Sequence, residues 1–175
     1  MPINSDQCQA FWASFVQSLA DNDPRRRAKY DTFGFGSDAA SADELAALVL
    51  SGKKRATTSL PIEYTSLNED LPKAGDLSII LNGEGLPVGI IERISVDLVP
   101  FGSVDAEYAA YEGEGDGSLQ YWQQAHIYYF NGVCRRLGGT LEDTTAVLCQ
   151  RFKLVWSQSG ESFSDVRKYP QEENE

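Results

Sequence analysis

The stretch from Leu77 to Val99 constrains the fold most strongly. Leu77-Ser78-Ile79-Ile80-Leu81 is an apolar run, Asn82-Gly83-Glu84-Gly85 has turn composition, and Pro87 to Val99 returns as a long β-rich segment. A connection this short pairs the two runs with each other, as an antiparallel hairpin. Val88, Ile90, Ile91, Ile94, Val96 and Leu98 mark the core-facing positions expected on the return run, and Glu92 and Arg93 interrupt it as candidates for cross-strand pairing. Lys73-Ala74-Gly75-Asp76 reads as a tight turn into the first run. Val147 to Trp156 alternates as a closing strand, with Leu148, Phe152, Leu154 and Trp156 on its apolar face and Gln150 among them.

Helices flank this β-rich centre. Cys8, Phe11, Trp12, Phe15, Val16 and Leu19 follow helical spacing over residues 6–20, and Asp21-Asn22-Asp23-Pro24 ends that helix. The basic triplet Arg25-Arg26-Arg27 and the aromatics Tyr30, Phe33 and Phe35 then read as a connecting segment. Ser41-Ala42-Asp43-Glu44 has the Ser-x-x-Glu form of a capping box; Leu45, Leu48 and Val49 give a short stripe, and Gly52 suits a left-handed stop. A polar loop is expected from Leu60 through Pro72. A short helix over 105–111 leads into Glu112-Gly113-Glu114-Gly115-Asp116-Gly117, a flexible acidic loop. Ser118 caps a further helix to about Cys134, with Leu119, Trp122, His126, Tyr129, Phe130 and Val133 on one face. The sum is an α+β protein with a curved or closed antiparallel sheet and helices packed outside. The polar stretch after Ser157 is expected to be disordered.

Charge bounds the partners. Among 175 residues, 26 are acidic and 15 basic, a formal net charge of −11. Such a chain repels nucleic acid at long range, so a polyanion must be met by a local patch, and a small nucleotide is easier to accommodate than a long strand. Three cysteines (Cys8, Cys134, Cys149) without a Cys-x-x-Cys pair argue against a disulfide framework or a cysteine-rich zinc site. The absence of a long apolar run or signal-like start leads to the expectation of a cytoplasmic protein with no membrane partner.

One patch answers the charge requirement. Gly52-Lys53-Lys54-Arg55-Ala56-Thr57-Thr58-Ser59 sets three cations and three hydroxyls at a helix C-terminus, where the partial negative charge favours cations. Lys54 and Thr57, three apart, fall on opposite faces of a regular strand. They share a site only if Lys54 occupies the corner before the strand. A solvated helix end and packed threonines are the plain alternative for this segment. His126, alone on an apolar stripe, reads as a hydrogen-bonded core residue.

Taken in order, these motifs resemble a known family. Ala42-Asp43-Glu44-Leu45-Ala46 through Gly52-x-Lys54-x-x-Thr57, then Glu112-Gly113-Glu114-Gly115-Asp116 with Ser118-Leu119, and Trp122 four residues before His126, are similar to the longer bacterial branch of the ASCH superfamily. The resemblance runs from roughly Tyr30 to Trp156. It implies residues 1–29 as an N-terminal helix and basic linker, 30–157 as the ASCH domain, a PUA-like antiparallel β-barrel, and 158–175 as a tail. It implies an RNA-associated hydrolase: first a ribonuclease on single-stranded RNA, with a divalent metal; alternatively an amidohydrolase of acetylated cytidine; alternatively a non-catalytic RNA- or nucleotide-binding module. Lys54, Thr57 and Glu112 take the catalytic positions. Lys53, Arg55 and Arg135 are candidate substrate contacts. The family pattern differs at Gln123, Gln124 and Ile127, where arginines are expected, and at Gln150, where a Glu is.

Overall fold

The computed structural model describes residues 5–157. The chain runs α1 (Ser5–Ser18), β1 (Tyr30–Gly34), α2 (Ala39–Leu50), β2 (Ala56–Ser59), α3 (Pro61–Thr65), β3 (Leu77–Leu81), β4 (Pro87–Pro100), α4 (Ala106–Glu112), α5 (Leu119–Leu137) and β5 (Ala146–Ser157), with 3-10 turns at Pro24–Arg27 and Phe101–Ser103. Among the described residues no helix is long and apolar enough to cross a membrane. The tail expected after Ser157 lies outside the described residues.

The expected hairpin forms, with Leu77 opposite Glu92 and Ile79 opposite Ile90. The long strands β4 and β5 pair antiparallel along most of their length and form the spine of the sheet. The strand order is β1-β3-β4-β5-β2. Two expectations need correction here. The sheet is mixed, because β1, read from sequence as a connecting segment, pairs parallel with β3. It is also open: β1 and β2 are its edges and do not pair with each other, so no barrel closes.

A bulge corrects the expected face of β4. Arg93 pairs with Phe152 and Ser95 with Arg151, which leaves Ile94 as the extra residue. The insertion reverses the alternation. Ile94 and Leu98 are 55% and 60% exposed, while Arg93, before the bulge and two residues after buried Ile91, faces inward at 4% by ordinary alternation. Glu92 stays at the surface, 3.5 Å from Lys153 and 3.7 Å from Arg25.

Three apolar clusters hold the layers. Phe11 and Phe15 of α1 pack on Ile79, Leu81, Ile90 and Trp156. Ala46 and Val49 of α2 meet Ile80, Ile91 and Phe152. The face of α5, through Trp122, Phe130 and Val133, covers Ala56, Tyr108, Val147 and Cys149. The cap of α2 lies earlier than the Ser41/Glu44 pattern suggests. Asp38 accepts from the Ser41 amide at 2.9 Å, and the Ser41 hydroxyl accepts from the Asp38 amide at 3.2 Å. The loop expected after Leu60 contains the short helix α3, whose Glu63 closes back on the Leu60 amide at 2.8 Å.

Candidate functional site

Three local structures bring the charged residues together. At the end of α2, Gly52 takes φ +74°, and the amides of Lys53 and Lys54 both donate to the Leu48 carbonyl. Lys54 therefore sits in the corner, before β2 begins at Ala56, and turns inward to 1% exposure. Asp105 caps α4 through the Tyr108 amide at 2.8 Å, and Gly113 in the left-handed region ends it directly after Glu112. The Arg55 amide donates to the Tyr111 carbonyl at 2.8 Å, which fastens the basic corner to the end of α4.

Glu112 is the centre of the resulting network. Its Oε2 accepts from Lys54 Nζ at 2.8 Å; its Oε1 accepts from the Thr58 hydroxyl at 2.6 Å and from the Trp122 indole at 2.9 Å. Lys54 Nζ also donates to Glu114 Oε1 at 2.5 Å. Lys54 and Glu112 are each 1% exposed, so neither charge survives there without the other. Burial opposes the ammonium, but the charges and hydrogen bonds of Glu112 and Glu114 outweigh it and hold the Lys54 pKa above the ordinary lysine value. Burial likewise opposes the Glu112 carboxylate. Lys54, His126 and the Thr58 hydrogen bond together hold its pKa below the usual range. The pairing therefore does not make Lys54 a base of lowered pKa.

His126 behaves as its stripe position suggests, with an addition. Its ring stacks on Trp122 at 4.2 Å, and Nδ1 donates to the Trp122 carbonyl at 2.9 Å. Its Nε2 stands 3.5 Å from Glu112 Oε1. Tyr108 ties the neighbouring strands together: its hydroxyl donates to the Thr57 carbonyl at 2.8 Å and accepts from the Gln150 amide at 3.0 Å.

Above this network lies a cavity of about 590 Å³. Its walls come from both sheet edges, Asp31 to Phe35 around β1 and Thr57 to Ser59 on β2, so it occupies the gap where a closed barrel would have joined them. Glu112, Glu114, His126, Tyr129, Arg93 and Gln150 also face it. The size is that of a small-molecule site, about 300–1,000 Å³.

The structure thus joins Lys54 and Glu112, and Lys54 lies just beneath the lining residues Glu112 and Glu114. Thr57 lines the cavity, but its hydroxyl bonds to no described residue; the threonine that binds Glu112 is its neighbour Thr58. Lys53, Arg55 and Arg135 do not line it. Lys53 is exposed, Arg55 lies over the Tyr111 ring at 4.8 Å, and Arg135 turns back to the Asn131 carbonyl at 3.1 Å. Sequence reasoning missed Thr58, Glu114 and the indole of Trp122 as partners. The acid–glycine alternation held the signal for Glu114, since a glycine on either side lets the chain fold a second carboxylate back over Lys54. A divalent metal does not fit this centre: both Glu112 oxygens are engaged, and among the described residues no three His, Cys, Asp or Glu gather to hold an ion.

An open mixed sheet wrapped by helices, with a charged pair beneath a cavity between its edges, defines a small α+β domain. The chain matches the ASCH domain model over residues 31–156 and belongs to the ASCH domain family. It is similar to the solved ASCH domain from Lactobacillus crispatus, with 32% identity, a TM-score of 0.80, and 85% of this chain and 94% of that one covered. A solved protein from Enterococcus faecalis is 30% identical, with a TM-score of 0.73 and coverage of 86% and 88%. Comparison with curated protein sequences gave no match.

Proposed function

We propose that this ASCH domain is a hydrolase of a small modified nucleoside, cleaving an exocyclic amide of the acetylated-cytidine type. The observation that carries this reading is the buried Lys54 ammonium clasped by two carboxylates, one of which keeps an oxygen for the cavity. Glu112 is fully engaged and acts by position. Glu114 spends Oε1 on Lys54, and its other oxygen has no partner among the described residues. That oxygen takes a proton from a water attacking the amide carbonyl. The fixed charge of Lys54, in surroundings cleared of solvent, stabilises the negative charge that grows on the carbonyl oxygen. Glu114 then returns that proton from the same oxygen to the departing amine, so that water and amide become acid and amine. Thr57 is a substrate anchor on the wall.

The ribonuclease reading calls for cations where a phosphate chain would lie. Asp31, Glu69 and Glu114 line the cavity, while Lys53, Arg55 and Arg135 stand away from it. That distribution favours a neutral ligand. Incubation with N4-acetylcytidine, followed by chromatography for free cytidine, tests the proposal. Wild-type protein should turn over, and Glu114→Gln, folded by circular dichroism, should lose about 100-fold or more in kcat. Wild-type protein that leaves the amide intact but cleaves single-stranded RNA would overturn it in favour of the ribonuclease.

A further inference from the structure

The cavity has a second polar wall that the hydrolysis above does not use. It is built by Arg93 of β4, Gln150 of β5, Ser59 at the end of β2 and Tyr64 of α3, all of which line the cavity. Arg93 and Gln150 are 4% and 1% exposed. The Arg93 guanidinium donates through one nitrogen to the Ser78 hydroxyl at 2.6 Å and through Nε to Gln150 Oε1 at 2.8 Å. Its remaining nitrogen stands 3.8 Å from Asp31, beyond hydrogen-bond reach.

Because a guanidinium only donates, the orientation of the Gln150 amide is fixed. Its oxygen faces Arg93, and its NH2 group donates to the Ser59 hydroxyl at 2.8 Å and the Tyr64 hydroxyl at 3.3 Å. Those two hydroxyls are themselves 3.3 Å apart and share one hydrogen bond. Two hydroxyl protons are present and the shared bond takes one, whichever of the pair donates it. The other proton finds no acceptor among the described residues and is left for the cavity. Aromatic residues Phe33, Phe35, Tyr128 and Tyr129 supply flat apolar surface in the same space.

We infer that Gln150 sets the hydrogen-bond polarity of this wall, so that the Ser59–Tyr64 pair donates to an acceptor on the ligand: the ring carbonyl of a planar nitrogen heterocycle such as a pyrimidine. Only the identity of the ligand rests on the nucleoside reading; the polarity follows from the arginine. A carboxylate in place of the Gln150 amide would accept from Arg93 and from both hydroxyls, and would leave no proton for a ligand.

The test is calorimetric binding of cytidine and 2-thiocytidine, whose sulfur is the weaker acceptor, to the full chain. Wild type should prefer cytidine about tenfold, and Gln150→Glu should weaken cytidine by about tenfold and erase the preference. Ser59→Ala and Tyr64→Phe each keep one unshared proton and should stay within about threefold of wild type, whereas the double variant should match Gln150→Glu. Should Gln150→Glu fail to fold, the hydroxyl series decides alone. Wild-type affinity in Gln150→Glu, single hydroxyl variants as damaged as the double, or no cytidine binding by wild type would each overturn the inference. Amide hydrolysis with unchanged binding sinks this inference only. Binding governed by Gln150 without hydrolysis sinks only the catalytic reading.

Discussion

At the scale of the residue, the buried pair controls how the domain responds to pH. Glu112 has a depressed pKa, so its contribution to stability is complete above the ordinary carboxylate value and is lost as pH falls through the folded-state value. Lys54 has a raised pKa, so its contribution is complete below the ordinary lysine value and is lost only as pH climbs through the folded-state value. Between about pH 5 and 10 both contributions are constant. Glu112→Gln keeps an acceptor for Thr58 and leaves Glu114 beside Lys54, so it should cost about 3 kcal/mol at neutral pH, the low end for breaking a buried ion pair. Urea titrations should show that difference narrowing once pH drops below the ordinary carboxylate value of about 4, where the unfolded chain takes up a proton that folded Glu112 resists. A gap that stays constant down to pH 2 would mean that the Glu112 charge contributes nothing. The sequence disclosed Lys54 and Glu112 only through their likeness to the family's motifs. It hid Thr58, because which of two adjacent threonines meets Glu112 depends on the exit angle of the corner at Lys54.

At the scale of the element, the end of α4 determines where the second carboxylate goes. Gly113 has φ +66°, and a Cβ there would lie 2.3 Å from the Lys53 carbonyl oxygen, a backbone atom that cannot yield. Gly117 has φ +75° with open space around it. Gly117→Ala should therefore cost only the conformational strain, about 1–2 kcal/mol. Gly113→Ala should cost more and also separate Lys54 from Glu114, read as a lower melting temperature together with lost turnover. Equal losses in the two variants would show that the contact with Lys53 is irrelevant. Most elements could be read from periodicity: α1, α5, the β3–β4 hairpin and β5 all carry long apolar patterns. The failures were short or interrupted. The alternation in Tyr30–Gly34 is too brief to distinguish a strand from a linker, and its parallel pairing with β3 depends on a partner more than forty positions away. The bulge at Ile94 is a register event between strands, and one strand's hydropathy cannot reveal it.

At the scale of the whole molecule, the open sheet and the net charge act together. Apolar patterning called for a curved sheet with helices outside, but not for whether its edges meet; that depends on α2 and α3, which carry the chain from one edge to the other and back. The unclosed gap became the cavity, and in a chain of net charge −11 it kept acidic walls. A phosphate on the ligand would enter a field of like sign, with Asp31, Glu69 and Glu114 nearby and no lysine among the lining residues. Cytidine 5′-monophosphate should accordingly bind at least about tenfold more weakly than cytidine at low ionic strength. Raising salt should narrow that gap by screening the walls, while leaving cytidine affinity nearly unchanged. A protein built to grip RNA would behave in the opposite way, favouring the phosphorylated ligand at low salt and losing it as salt rises. Isothermal titrations of the two ligands at two salt concentrations separate these cases: tighter binding of the monophosphate would mean that Arg93, not the carboxylates, governs entry to the cavity.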